Sequence, residues 1–382
     1  MRVGLNAYFL SHPHTGSGVY LRRLLETLPA AAPGIELRLY APRGLPTPEA
    51  APDLPLRRVP VPGAPDGNWA KLHFEQVGFP RAALSDGCDV LHVPYFAPCS
   101  LGRRMAVATI HDVIPLMLRG YSHGLLPWAY SRLVATAARR TRLLLADSKW
   151  TARDAVQRLG VPPGRLRVVY LGVGREHHPV RDVSRLAEVR RRYELPEDYV
   201  LYLSGFDRRK RVEVLLAAYA HLRSETPITP SLVLAGRFPE RQTVTHMGVR
   251  SLIERLGLAG EVLLPGEVAE CDKPALLAAA SLFVFPSEYE GFGLTPLEAM
   301  ACGAPVVAVN ASSIPEVCAG AADLVRPGDE GALAAAMGRL LADPAHAEEL
   351  RRRGPERAAA FTWERTATET ARVYAAVAAM GR

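Results

Sequence analysis

Lysine is nearly absent from this chain. Among its 46 basic residues only Lys71, Lys149, Lys210 and Lys273 are lysines, so a lysine inside a motif stands out. Cysteine is also sparse: Cys88, Cys99, Cys271, Cys302 and Cys318 are odd in number and lack metal-type spacing. That pattern argues against a disulfide framework and fits a reducing cytoplasm. No stretch reaches the roughly 18–20 consecutive apolar residues that span a bilayer. Met1–Asn6 leads straight into a strand pattern without a signal-peptide arrangement, so a cytoplasmic location is expected. There is no Asp-x-Asp triplet, which removes the usual carboxylate site for a metal-bound nucleotide. There is no zinc-type His/Cys spacing and no Walker A sequence either. The expectation is a metal-independent enzyme with no cofactor.

Charge narrows the partners. The formal net charge is +7, and its plainest reading is an arginine-rich surface; attraction to anionic lipid or phosphorylated substrates is the alternative. No dense basic run is interleaved with aromatics, so nucleic acid is not an expected partner. The stretch Leu125–Leu145 carries Trp128 and Tyr130, then Arg139, Arg140 and Arg142. It reads as a packed helix with a solvated basic end followed by a strand. Peripheral contact with the inner face of a membrane is its second reading.

What is present is alternation. At 382 residues the chain exceeds one ordinary core, and two domains of roughly 150–200 residues are the prior. Strand candidates at Arg2–Ala7, Glu36–Ala41, Asp89–Val93, Ala106–Ile110, Leu143–Ala146 and Arg167–Tyr170 alternate with helical segments. A second series follows at Tyr199–Ser204, Leu232–Ala235, Val262–Leu264, Leu282–Phe285, Val306–Val309 and Leu324–Val325. Such alternation predicts an α/β architecture with parallel sheets. The segment Leu171–Pro196, rich in glycine, proline and arginine, separates the series and sets a boundary near 175–180. Domains over 1–176 and 177–360 follow, with a helix over 361–382 whose apolar side (Trp363, Ala367, Ala371, Tyr374, Val377) suits packing back on the first domain. Pro42–Gly67 reads as a surface excursion.

Four constellations carry chemistry. Gly16-Ser17-Gly18, between a strand and a helix, would let backbone approach a phosphate, although a plain turn accounts for it equally well. His111-Asp112 follows strand Ala106–Ile110, where ligand-facing residues sit; His111 could donate to a sugar hydroxyl while Asp112 fixes its ring. Gly205-Phe206-Asp207-Arg208-Arg209-Lys210-Arg211 places four cations at a strand-to-helix junction, a pattern that suits a pyrophosphate, with Arg208 and Arg211 readable as surface charges. Last, Ser287–Glu298 sets Glu290 and Glu298 eight positions apart, across glycines and into a helix start. Thr295 would be the N-cap and Pro296 the first helical residue. Glu298 then has a plain explanation in a Thr295-x-x-Glu298 capping box. Glu290, in a loop before Gly291, is better explained by a ligand.

These residues resemble the E-x7-E motif of family-4 retaining glycosyltransferases. The resemblance extends along nearly the whole chain, through Thr109–Pro115, Arg209-Lys210, Ala299–Pro305 and Phe361-Thr-Trp363. It implies the GT-B fold, two Rossmann-like domains with parallel sheets facing across a cleft, and a nucleoside-diphosphate sugar, GDP- or UDP-linked, as donor substrate. It gives Glu298 the ribose hydroxyls and Glu290 the donor sugar. Arg209 and Lys210 become the diphosphate clamp, His111 a donor-sugar contact, and Gly16 or Gly18 the phosphate loop. Phe292, Gly293 and Leu294 supply backbone N–H groups. With no obvious side-chain nucleophile, attack is expected on the face from which the nucleoside diphosphate leaves. The stretch Thr109–Pro115 is similar to mannosyltransferases of polysaccharide assembly and leans toward GDP-mannose. The acceptor, a glycan, lipid-linked or small molecule, is not legible. Alternatives are a nucleotide-sugar epimerase of the same fold and a non-catalytic nucleotide-sugar-binding subunit.

Overall fold

The structure is a computed structural model that describes residues 1–46, 54–114, 125–226, 229–238 and 248–381. The chain divides into two compact units, Met1–Gly172 with Thr362–Arg382, and Val173–Phe361.

In the first unit β1 (Arg2–Asn6), β2 (Glu36–Pro42), β3 (Leu56–Val59), β4 (Val90–Val93), β5 (Ala106–Ile110), β6 (Leu143–Ala146) and β7 (Leu166–Val168) form a parallel sheet. Its order is β3-β2-β1-β4-β5-β6-β7. Strands β4, β5 and β6 are buried along their whole length. Their unbroken apolar runs are what a sheet covered by helices on both faces requires. The helix Gly16–Ala31 and the closing helix Trp363–Gly381 pack on each other. Trp363, Ala367, Tyr374 and Val377 are buried there, the Tyr374 hydroxyl is 2.7 Å from Nδ1 of His92, and Thr366 donates to the Tyr170 carbonyl at 2.7 Å.

In the second unit β8 (Tyr199–Leu203), β9 (Ser231–Ala235), β10 (Val262–Gly266), β11 (Leu282–Phe285), β12 (Val306–Val309) and β13 (Asp323–Val325) give the parallel order β10-β9-β8-β11-β12-β13. Both sheets reverse their winding beside their first strand, between β1 and β4 and between β8 and β11. Loops leaving the C-terminal ends of such a strand pair diverge and leave a crevice for a ligand.

Three expectations change. Pro42–Gly67 is not wholly an excursion, because Leu56–Val59 is the edge strand paired with β2; residues 47–53 lie outside the described ones. Gly16 to Gly18 are the first turn of a helix capped by Thr15, whose Oγ1 accepts from Gly18 N at 3.1 Å. A polar run with two glycines still winds here because the cap supplies the missing acceptor. The helix Leu125–Arg140 exists, but the side chain of Trp128 lies outside the description, as does Pro115. Among the described residues no helix is long and apolar enough to cross a membrane.

Candidate active site

At the β8/β11 crevice, β8 runs into a loop anchored by Phe206, which is buried and stacked on Phe238 with centroids 4.3 Å apart. The chain then makes a short 3-10 turn, Arg208–Lys210. Two of its cations converge on one oxygen. Lys210 Nζ and Arg209 donate to Oε1 of Glu290 at 2.7 and 2.8 Å, and Ser287 Oγ joins them at 2.5 Å. Arg209 also donates to the Tyr289 carbonyl at 2.9 Å. No partner is found for Glu290 Oε2 among the described residues. Burial alone would raise the Glu290 carboxyl, but the Lys210 and Arg209 charges hold it at about 2. Burial, opposed by Glu290, pushes the Lys210 ammonium down. Both cations share this one carboxylate in a largely buried place, and Asp207 adds a second negative charge that acts on Lys210. Glu290 is therefore not a bare loop carboxylate waiting for a ligand: its first task is to hold the two cations. Arg211 pairs instead with Glu288 and Glu213 at 2.8 and 3.0 Å, and Arg208 is exposed.

After β11 the chain passes through Glu290 into the helix Leu294–Ala301. Its N-cap is Gly293, at φ +101, not Thr295. Its positive φ is what calls for glycine, since a Cβ there would stand 2.7 Å from Ile314 Cδ1, the end of a side chain that can shift. The expected capping box does not form, because the helix starts before Thr295 and no side chain caps it. The uncapped first turn leaves backbone N–H groups and the positive end of the helix dipole unsatisfied. The approach loop is held from the other side. Ser312 Oγ accepts from Glu290 N at 2.9 Å, and Ser313 Oγ donates to the carbonyls of Glu290 and Phe292 at 3.0 and 2.7 Å.

Glu298, freed from capping, has no hydrogen-bond partner for its carboxylate among the described residues. Nε2 of His177 lies 4.0 Å from its Oε1. The His177 ring is buried, with Glu176 at 3.7 Å from Nδ1, and neither ring nitrogen makes a hydrogen bond among the described residues. Both gaps exceed hydrogen-bond reach, and a bridging hydroxyl or water suits such a separation.

In the first unit, the partner that fixes His111 is Asp147, not Asp112. Nδ1 lies 2.6 Å from Asp147 Oδ2 and Nε2 3.1 Å from the Pro94 carbonyl. These neighbours suit a ring protonated on both nitrogens, while burial also raises the Asp147 carboxyl, so the proton between them is shared by the pair. Burial lowers the His111 pKa, but Asp147 outweighs burial and the net shift is upward. Neither nitrogen is left over for a sugar hydroxyl. The Asp112 carboxylate instead accepts from Ile114 N at 3.0 Å. Gly18 has a packing reason of its own, since a Cβ there would lie 2.2 Å from the His12 carbonyl oxygen; at Gly16 nothing lies within 4 Å.

Residues 14–177 match the family described as Glycosyltransferase Family 4, and residues 187–357 match Glycosyl transferases group 1. The chain is 32% identical over 295 residues to O-antigen chain mannosyltransferase B of Escherichia coli, covering 76% of each sequence. The chain belongs to glycosyltransferase family 4. It has the GT-B fold: sucrose-phosphate synthase from Thermosynechococcus elongatus superposes with a TM-score of 0.77 at 24% identity, covering 99% of both chains. Anabaena Alr3699/HepE, solved in complex with UDP, gives 0.74 at 19% identity, covering 98% of this chain and 99% of that one.

This glycosyltransferase is an enzyme whose expected site residues fall in two groups. Arg209, Lys210, Glu290, Phe292, Gly293, Leu294 and Glu298 lie in the second unit; Gly16, Gly18 and His111 belong to the first. Sequence reasoning missed Ser287, His177 and Asp147. Isolated serines and a linker histidine carry no spacing signal, and their roles come from loops meeting in space. Among the described residues no group of three or more His, Cys, Asp or Glu could hold a metal.

Proposed function

We propose that this family-4 enzyme transfers a hexose from a nucleoside-diphosphate sugar to a hydroxyl acceptor with retention of anomeric configuration and without a metal. The observation that supports this most is the convergence of Arg209 and Lys210 on Glu290, in the unit whose Gly293 helix start is uncapped. A diphosphate satisfies both features: its oxygens accept from the amides around Gly293 and Leu294, and its charge meets the two cations. The glycosidic C1–O bond breaks with its electron pair passing to the departing diphosphate, where preorganised cations stabilise the developing charge. The acceptor hydroxyl forms the new C1–O bond on the same face and gives its proton to the departing phosphate oxygen. Glu290 Oε2 is assigned a donor-sugar hydroxyl, and Glu298 with His177 the ribose hydroxyls.

A mannosyl donor is favoured by the name of the E. coli relative, and the UDP complex of the Anabaena protein keeps UDP-sugars in the test. The acceptor belongs to the glycans or lipid-linked glycans. The test is to incubate the protein with GDP-mannose or UDP-glucose, with and without a methyl mannoside, and follow the anomeric protons by NMR. A new α-linkage, formed only with acceptor, is expected. Donor isomerisation without acceptor would identify an epimerase, and donor binding without turnover a non-catalytic subunit; either overturns the proposal.

A further inference from the structure

Among the described residues three that are not glycine hold a left-handed backbone: Glu194, Arg211 and Ser312, at φ +53, +52 and +51. Such a backbone strains a residue with a Cβ, whereas glycine adopts it without steric cost. Glu194 has a local explanation. It follows the helix Val183–Arg192, and Leu195 N donates to the Arg190 carbonyl at 2.8 Å, an ordinary helix ending. Arg211 and Ser312 share a different setting: they lie on the loops that flank Glu290 and its two cations. Strain of this kind gathers where a site needs a fixed geometry.

Arg211 closes the turn that carries Arg209 and Lys210, and its Nε lies 2.8 Å from Glu288 Oε2. Ser312 sits in the other loop, between β12 and the short helix Ile314–Cys318. It is buried, and its hydroxyl oxygen accepts from Glu290 N at 2.9 Å. Ser313, also buried, donates to the Glu290 carbonyl at 3.0 Å. The two serines thus grip both backbone groups of Glu290, while Lys210, Arg209 and Ser287 grip one oxygen of its side chain. Held at the backbone and at one oxygen, the carboxylate has its second oxygen fixed in place. Glycine at 312 would relax the backbone but leave the Glu290 N–H without this acceptor. The hydroxyl, not the backbone, accounts for a serine at that φ.

We infer that Ser312 is a positioning residue for transfer: it keeps a strained backbone so that its hydroxyl holds the Glu290 carboxylate in register with the donor sugar. Ser312 acts through Glu290 and is assigned no contact with substrate. That role rests on the transferase reading, whereas the strain and the hydrogen bond stand without it.

The test compares Ser312→Gly, Ser312→Ala and Glu194→Gly in the whole chain. Each is followed by thermal melt, by amide hydrogen exchange at Glu290, and by transfer from GDP-mannose or UDP-glucose. Ser312→Gly removes strain and hydroxyl together. It should melt no lower than wild type, exchange the Glu290 amide at least tenfold faster, and lose about tenfold in kcat. Its affinity for GDP or UDP, set by the cations and the amides near Gly293, should stay within twofold. Ser312→Ala keeps the strain, so it should lose the same activity and melt below wild type. Glu194→Gly relieves similar strain at a helix end and should melt no lower than wild type with transfer unchanged.

Full kcat in a folded Ser312→Gly overturns the inference, as does unchanged exchange at Glu290. So does a loss of kcat that only follows a lower melt, or an equal loss in Glu194→Gly. A wild type that transfers sugar from neither donor strikes the transferase reading and this role with it. Normal transfer by Ser312→Gly beside an active wild type strikes Ser312 alone.

Discussion

Nζ of Lys210 lies 2.7 Å from Oε1 of Glu290, so the carboxylate that the sequence offers as a sugar ligand is first a counter-ion. The pair is largely buried, and Arg209 and Ser287 crowd the same oxygen. This ties the first glutamate of the E-x7-E motif to the cations of a different loop, and leaves only Oε2 for substrate.

Replacing Lys210 by methionine keeps the stem and removes the charge. Transfer should fall about 100-fold or more in kcat, because the developing charge on the leaving group loses a preorganised partner. Arg209 and Ser287 remain on Glu290, so the fold should persist. Steady-state kinetics beside a thermal melt checks both statements.

Glu290→Ala should abolish transfer and also destabilise the second unit by about 3–5 kcal/mol, since two cations lose their shared carboxylate. The pH dependence has a definite sign. The Glu290 carboxyl drops from its ordinary value near 4.5 to about 2 in the folded protein. Its contribution to stability is full above pH 4.5 and is lost as the pH falls toward 2. Acid melts of wild type and Glu290→Gln should therefore converge across that window.

His177→Phe preserves ring volume and removes both nitrogens. We expect weaker nucleotide-sugar binding, seen as a raised donor KM with kcat little changed, because Glu298 loses its neighbour at 4.0 Å. His177→Gln should restore part of the affinity. A melt alone would not move this way for a merely structural ring.

The two early glycines should separate. Gly18→Ala places a methyl 2.2 Å from the His12 carbonyl oxygen and should cost about 1–3 kcal/mol of stability. Gly16→Ala meets nothing within 4 Å and should leave the melt unchanged or slightly raised. A loss of donor affinity in a stable Gly16→Ala protein would assign Gly16 to the phosphate.

Much of the fold was legible because buried parallel strands such as Leu282–Phe285 announce themselves as short apolar runs. The edge strand Leu56–Val59 did not: Leu-Arg-Arg-Val in a proline-rich stretch has no such run, and its pairing with β2 alone makes it a strand. Within the site, Arg209, Lys210 and Glu290 were legible as residue types in the right loops. Their mutual contact was not, since it joins residues 80 apart in the chain. The capping box at Thr295 misled because local spacing cannot register that the helix already starts at Leu294, after Gly293 at φ +101. Asp147 could not be found as the partner of His111 either, because the pair spans β5 and β6.

The most direct test of the diphosphate clamp is a thermal-shift titration with GDP and UDP on wild type, Lys210→Met and Arg209→Met. A ligand at a hundred times its Kd stabilises by about 2.7 kcal/mol. The account predicts a clear rise in Tm for wild type with one of the two nucleotides, and loss of most of that rise in both variants. An equal rise in all three proteins, or none in wild type, would contradict it.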